Sequence, residues 1–578
     1  MQKALITPSK PKAGATIAIP GSKSYTNRAL ILAALATGKT TLRNPLFSDD
    51  TKYTLEALRD LGVEVERKGD DLHIVGVGGK FKEPGKSLNL GNAGTGMRFL
   101  TAAMSITGFK TKLYGNSRMS QRPIKDLLKG LRDLGVKVES TNKTGCPPIK
   151  NQGNGVKGGR VEISGKISSQ FISAIMMIAP FAEQDVEIVI VDELVSKPYI
   201  DMTIQVIKDF GVSVSNHEYE RFVIKAGQKY KGCDYLVEGD TSSASYFFAL
   251  EKLHDVKLDI KNIKKDSLQA DIGFLDVEVG GEIDLNHMPD AAMTVAILAA
   301  FHKGKTRLTN IANLRVKETD RIKALVTELN KVGCDAHELE DGIEINGDPS
   351  KLHGNVVIET YDDHRMAMCF AVLASKIENV QILDPDCTSK TYPTFFEDLE
   401  RAGFKVEKRK IPNIILTGMR GSGKSTIGKL IAKKLRYRFV DTDDKIEKQE
   451  KMSISDMVKK KSWFYFRKKE KYVVRSISNK KDVVIATGGG VILDKENVKS
   501  LKKLGKIVFL KYDLDVLEER LKKSHERPAL TKHKSLKDEL KEVWSKRKDK
   551  YLDTADMVYE DDKDLNKAER AEQIIYSI

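Results

Sequence analysis

The sequence predicts an α/β protein in two modules, and three observations carry that prediction. A helix–glycine–strand design recurs through the first 410 residues, a glycine loop of phosphate-binding type begins at Gly418, and the charge balance changes between the two regions. At 578 residues the chain exceeds what one hydrophobic core supports, so several core units are expected. No apolar run approaches the roughly 18 residues that span a bilayer, and the segments 171–182 and 291–301 suit buried helices. The first residues lack the apolar core of a secretion signal, so a cytoplasmic location and no membrane partner are expected. Five scattered cysteines without a CxxC pair argue against both a disulfide framework and a zinc site.

The repeat reads LRDLGVEVE (58–66), LRDLGVKVE (131–139), IKDFGVSVS (207–215), LNKVGCDAH (329–337) and LERAGFKVE (399–407). In each copy a helix stops at a glycine, which adopts the left-handed conformation of a C-terminal cap without a Cβ penalty, and a β-branched or apolar strand follows. The gap between Gly211 and Gly333 leaves room for a weaker copy near Gly273, making six units. The pattern stops near residue 410. Beyond it, 41 lysines and arginines face 27 acidic residues, a surplus of 14 within a total net charge of +16. Such a field suits an enzyme of anionic metabolites as well as a nucleic-acid binder.

The loop Gly418-Met-Arg-Gly421-Ser422-Gly423-Lys424-Ser425 follows an apolar strand at 413–417 and precedes a helix at 426–435, the context that the phosphate-cradle motif requires. Its glycines let backbone N–H groups converge on phosphate oxygens, Lys424 neutralises the β/γ-phosphates and Ser425 offers a hydroxyl to Mg²⁺. Farther along stand Phe439-Val-Asp441-Thr-Asp443, Phe466-Arg467-Lys-Lys-Glu470, the triplet Gly488-Gly489-Gly490, Arg527-Pro528, Arg547 and Tyr551. On these residues the region 412–560 resembles shikimate kinase. The resemblance implies a P-loop kinase with a parallel sheet in an α/β/α arrangement that uses ATP and Mg²⁺. Gly418, Gly421, Ser422, Gly423, Lys424, Ser425, Thr426 and Arg527 would then bind ATP, with Ser425 and Asp441 at the metal. Asp443, Arg467, Gly488, Gly489, Gly490 and Arg547 would bind shikimate. Asp443, Lys424 and Arg527 take the catalytic roles: the first orients the attacked hydroxyl and the other two balance charge on the transferred group. The chain departs from that family where Ser462-Trp463 replace Gly-Glu and where Ala529 precedes Leu530 in the lid.

Upstream of residue 410 there is no Walker motif, metal cluster or nucleophile elbow; basic and small polar residues recur instead. They include Lys23-Ser24 with Arg28, Asn92-Ala-Gly94-Thr95, Gln121-Arg122-Pro123, Ser168-Ser169-Gln170, Ser196 with Tyr199, Pro289-Asp290, Asn313, Lys317-Glu318 with Arg321, His364-Arg365 and Lys390. A cleft for several anionic groups requires such a lining. In order, these motifs resemble 5-enolpyruvylshikimate-3-phosphate (EPSP) synthase over nearly the whole 410 residues. The resemblance implies a two-lobed enolpyruvyl transferase fold of six repeated α/β units, lobe one at about 15–225 and lobe two at 1–14 with 226–410, followed by the kinase at 411–578. It assigns Lys23, Ser24, Arg28, Ser168, Ser169, Gln170, Ser196, Tyr199, Asp290, Asn313 and Lys317 to shikimate 3-phosphate, and Lys23, Asn92, Gly94, Arg122, Arg321, Arg365 and Lys390 to phosphoenolpyruvate. Glu318 is the candidate acid, which needs a raised pKa to protonate carbon near neutrality; Asp290 is the candidate base, and Lys23 assists either. No cofactor is expected there, and glyphosate inhibition is implied, although Gly96 and Phe99 stand where the family has Ala and Pro.

The related transferases acting on UDP-sugars carry a reactive cysteine near the position of Arg122, and none occurs before Cys146. Adenylate and gluconate kinases share the cradle without the Asp443, Arg467 and Arg547 set. A nucleic-acid partner is not expected, because the C-terminal lysines alternate with acids and lack interleaved aromatic residues. The expected partners are the small-molecule substrates, shikimate, ATP, shikimate 3-phosphate and phosphoenolpyruvate. Oligomeric state has no signature in the chain.

Overall fold

The computed structural model describes residues 1–166, 168–194, 196–522 and 535–578. The chain separates into two compact units, one holding Leu5–Gly354 with Thr360–Glu407, the other Met1–Ala4, Asn355–Glu359 and Lys408–Ile578.

In the larger unit the repeated design appears as four-stranded sheets. Four of them share one plan: an outer strand runs parallel to its neighbour, and two antiparallel strands complete the sheet. Two kinds of helix accompany them, for a reason visible in the sequence. Helices such as Lys23–Leu35, Gly94–Ala103, Ser169–Ile178 and Ala292–Ala300 are buried on all faces through most of their length, the last two being apolar nearly all round and the first two also burying polar residues such as Asn27, Arg28 and Arg98. Helices such as Asp49–Asp60, Lys125–Asp133 and Arg321–Lys331 are amphipathic, with one face in the core. One contiguous core reaches from Tyr25 to Val237.

The cap glycines behave as the repeat predicts: φ is 82° at Gly62, 87° at Gly135, 88° at Gly211, 84° at Gly333 and 101° at Gly403. The weak copy differs. Gly273 lies inside a short 3-10 segment, Ala270–Asp276, and the left-handed glycines come at Gly280 (φ 118°) and Gly281 (φ 68°), immediately at the strand Gly281–Asp284. The helix of this copy is cut short, so its stop signal falls later than spacing alone suggests.

The smaller unit contains a five-stranded, wholly parallel sheet in the order Arg438–Asp441, Val483–Ala486, Ile414–Thr417, Lys506–Lys511, Met557–Glu560. The three inner strands carry apolar runs because both faces are covered. Phosphate-loop and pocket residues therefore lie at the carboxyl ends of the strands, where open α/β sheets bind ligands. Between the helices Ile454–Lys461 and Trp463–Ile477 the chain turns at Ser462 with φ 92° and ψ 161°, a region open almost only to glycine. Its side chain is exposed and caps nothing. Ser462→Gly should therefore raise stability by about 1 kcal/mol, strain relief less the entropy of the added glycine. Denaturant unfolding followed through the smaller unit checks the sign.

Candidate active sites

In the larger unit, helix N-termini and the turns before them converge on one polar pocket. Lys23 and Ser24 open the first buried helix, Gly94 and Thr95 the second, and Ser168 caps the third, its Oγ accepting from the Gln170 N–H at 3.3 Å. Ser196 stands before the helix Lys197–Asp209 in a left-handed conformation, φ 57°. Facing them are Asp290, Asn313, Lys317, Glu318, Arg321 and Arg365, and the pocket lining also includes Arg122, Ser169, Gln170 and Tyr199. Helix-start N–H groups on one side, with carboxylates interleaved among cations on the other, make a pocket for an anion that undergoes proton transfer.

The charges form a single network. Arg321 bonds Asp290 at 3.1 Å, Glu318 at 2.8 Å and Asp363 at 2.8 Å, and Arg365 reaches the other Asp290 oxygen at 2.9 Å. Lys390 lies 3.0 Å from Asp50 and 3.6 Å from Glu318, and donates to the Asn92 carbonyl at 2.9 Å. Arg122 donates to Asn92 and stands 3.9 Å from Glu318. Among the described residues, several buried polar atoms here have no hydrogen-bond partner: Arg122 Nε, Arg365 Nε, Asn313 Oδ1 and both ring nitrogens of His364. Unpartnered donors at this depth are costly unless a ligand engages them.

Titration runs against one expectation. Burial raises the Glu318 carboxyl, but Arg321, Arg122 and Lys390 together outweigh it and hold the group well below the usual carboxylate range. The pocket therefore keeps Glu318 ionised, where an acid was expected with a raised pKa; Arg321, one helical turn on, is the strongest cause, and Arg122 and Lys390, distant in sequence, add to it. Asp290 is likewise held far below its ordinary value, with burial opposed by Arg365, Lys317 and Arg321.

Arg28 does not line the pocket. It is fully buried behind it, donating to the Ser24 and Tyr199 carbonyls at 3.0 and 3.2 Å and to Thr203 Oγ1 at 2.7 Å, and its guanidinium lies 5.4 Å from the Phe99 ring. Phe99 is thus core, and an added Cβ at Gly96 would meet Thr54 rather than the pocket. Three pocket groups were not singled out from sequence. Asp50 reads as an ordinary first-turn acid of the helix that Ser48 caps, yet it faces Lys390 and Lys23. Thr95 lines the pocket and His364 is buried beside it, though each stood inside a motif already quoted.

A Cβ at Gly94 would lie 2.6 Å from Nη2 and 2.8 Å from Cζ of Arg122. Gly94→Ala must therefore displace that guanidinium from Asn92 and Glu318. The expected outcome is a KM for the anionic ligand on this side of the pocket that rises about tenfold, the worth of one displaced charged hydrogen bond; steady-state kinetics measures it.

In the smaller unit, Gly418, Gly421 and Gly423 take φ of 148°, 84° and 80° and bring the loop to the N-terminus of the helix Lys424–Lys434. Lys424 Nζ curls over the loop, donating to the Gly418 and Met419 carbonyls at 3.0 and 2.9 Å and to Ser422 Oγ at 3.3 Å. Ser425, followed by Thr426 on the same helix, donates to Asp441 at 2.5 Å, so a hydroxyl and a carboxylate meet as hard oxygen ligands of the kind Mg²⁺ takes. Asp441 ends its strand and caps the next helix, accepting from the Asp443 N–H at 3.0 Å.

The second half of this site surrounds the glycine triplet. A Cβ at Gly488 would approach Asp443 Oδ1 to 2.6 Å, and one at Gly490 would overlap the Arg467 guanidinium. Arg547 donates to the Gly489 carbonyl at 3.1 Å, and Tyr551 donates to the same oxygen. Arg467 pairs with Glu470 through Nη1 at 2.9 and 2.7 Å and lies 5.5 Å from the Trp463 ring. Burial lifts the Glu470 carboxyl to about 7, against the pull of Arg467, so it too is part of the site's electrostatics. Arg527, Pro528, Ala529 and Leu530 lie outside the described residues.

Comparison with known proteins gives the same division. The family model for EPSP synthase (3-phosphoshikimate 1-carboxyvinyltransferase) matches residues 8–280 and 277–399, and that for shikimate kinase matches 420–578. The 3-phosphoshikimate 1-carboxyvinyltransferase of Mannheimia haemolytica is 47% identical over 430 residues, covering 69% of this chain and 99% of its own; that of a Sulfurovum species is 48% identical over 408, covering 66% and 95%. The solved EPSP synthase of Acinetobacter baumannii superposes with a TM-score of 0.61 at 27% identity, covering 71% of this chain and all of that one.

Proposed function

The chain belongs to the EPSP synthase family and is a bifunctional shikimate-pathway transferase, and from that premise we propose how its residues carry out the two reactions. The kinase unit would phosphorylate shikimate from ATP. The synthase unit would then join the enolpyruvyl group of phosphoenolpyruvate to shikimate 3-phosphate, releasing phosphate. The observation that carries this reading is the joint placement of two anion pockets, each with carboxylates among cations.

In the kinase, Gly418, Gly421, Ser422, Gly423, Lys424 and Thr426 would cradle ATP, and Ser425 with Asp441 would hold Mg²⁺. When bound, the ion neutralises phosphate charge. Arg467 and Arg547 would clamp the substrate carboxylate beside Gly488, Gly489 and Gly490, which leave space for the ring; Asp443 would take the hydroxyl proton as phosphorus is attacked. Arg527 would complete the charge balance.

In the synthase, Ser24, Ser168, Ser169, Gln170, Ser196, Tyr199, Asn313 and Lys317 would hold shikimate 3-phosphate, with Arg28 fixing Ser24 and Tyr199 from behind. Lys23, Asn92, Gly94, Arg122, Arg321, Arg365 and Lys390 would surround phosphoenolpyruvate. Asp290 would accept the attacking hydroxyl's proton; it is held ionised, and its proton affinity would rise as bound anions draw Arg365, Lys317 and Arg321 away from it. The anionic co-substrate competes for Arg122, Lys390 and Arg321, loosening their hold on Glu318; its proton affinity rises as it comes to protonate the enol carbon. The same competition supports glyphosate inhibition at the phosphoenolpyruvate side.

A module boundary near 410 is supported by the gap between the matched regions. Among the described residues no helix is long and apolar enough to cross a membrane. A cytoplasmic setting is supported by five free cysteines. Incubation with shikimate, ATP, Mg²⁺ and phosphoenolpyruvate should release ADP and inorganic phosphate in equal amounts and form the enolpyruvyl product. Release of neither would overturn the reading.

A further inference from the structure

Arg118 lies outside the pocket and outside every motif considered above, yet it joins two parts of the chain that the pocket depends on. It sits half-buried on the short turn that also carries Arg122, four residues on. The turn is stiffened locally: Asn116 Oδ1 accepts from the Met119 N–H at 3.0 Å, and Ser120 Oγ donates to the Asn116 carbonyl at 3.3 Å. From it, Arg118 Nε and Nη2 both donate to the backbone carbonyl of Lys317, 199 residues away, at 3.0 and 2.7 Å, while Nη1 reaches Gln121 at 3.3 Å.

That carbonyl belongs to an otherwise lightly held link. Lys317 follows the 3-10 segment Ala312–Val316 with φ −81° and ψ −149°, and the next helix starts only at Arg321, capped by Asp320. Lys317 and Glu318, whose side chains enter the pocket, stand on this link. The bond is to backbone, so it fixes where both side chains begin, and from there Glu318 meets Arg321 at 2.8 Å, Lys390 at 3.6 Å and Arg122 at 3.9 Å.

We propose that Arg118 is a positioning residue of the synthase reaction, a clasp that ties the Lys317–Glu318 backbone to the turn bearing Arg122 and so sets the distance across which substrate and acid face each other. The proposal rests on the synthase reading above. A guanidinium is required, because only its planar fork places two donors on one oxygen; a lysine supplies one donor at most in that direction.

Arg118→Met keeps the aliphatic stem and removes the fork. In full-length protein it should lower synthase kcat and raise the KM for shikimate 3-phosphate, by about one decade each, the range for losing a charged hydrogen-bond pair. Arg118→Lys should recover part of the kcat. The thermal midpoint should stay close to that of the wild type, and the kinase reaction should not change. Synthase constants within twofold of wild type in Arg118→Met would overturn the proposal, as would a loss of kcat that matches a loss of folded protein. A wild-type chain without synthase turnover would instead sink the underlying functional reading, so the two failures are distinguishable.

Discussion

Lys424→Ala is expected to lower shikimate-dependent ATP turnover by about three orders of magnitude while leaving the synthase reaction intact, the scale seen when a cation is withdrawn from a transferring phosphoryl group. The lysine is the cation that would reach the β/γ-phosphates, and in this structure it rests on the loop's own carbonyls. Its removal leaves those carbonyls able to bond water, so the fold should persist and the loss should fall on kcat. Lys23→Ala should give the reciprocal result, because its ammonium faces Asp50 in the other unit's pocket. Assays of ADP and phosphate release on the two variants provide the comparison. Loss of both activities in either variant would contradict two independent sites.

Asp290→Asn should reduce synthase kcat by about two to four orders of magnitude, the range attributed to a positioned general base. The substitution is nearly isosteric, but it withdraws a negative charge from between Arg321 at 3.1 Å and Arg365 at 2.9 Å. Those guanidiniums keep an excess positive charge that favours anionic ligands, so KM for phosphoenolpyruvate should fall or hold while kcat drops. A parallel rise in KM would instead mark Asp290 as a binding group. Steady-state kinetics at saturating shikimate 3-phosphate separates the two.

How much of this was legible in the chain depends on how local the chemistry is. The five cap glycines and the phosphate loop could be read directly, because a left-handed φ and an anion-binding helix start are properties of a few consecutive residues. The truncated copy was misplaced at Gly273, since a shortened helix removes the spacing that locates its stop. Asp50 escaped notice because a first-turn acid has an ordinary reason to exist, and only the assembled pocket shows Lys390 3.0 Å away. The ionised state of Glu318 was only partly legible: Arg321, three residues on in the same motif, is the strongest of its cations, but Arg122 and Lys390 reach it only through folding. Ser462 was legible as a departure, but not as strain, until its φ of 92° was known.

Trp463 and Trp544 are the protein's two tryptophans, and both belong to the kinase unit. Trp463 lies 5.5 Å from the guanidinium that would receive the substrate's carboxylate, whereas the half-buried Trp544 stacks on Phe509. Indole emission is therefore a built-in optical reporter confined to one half of a double enzyme. If Arg467 receives the carboxylate as proposed, a titration read at that colour would score occupancy by shikimate.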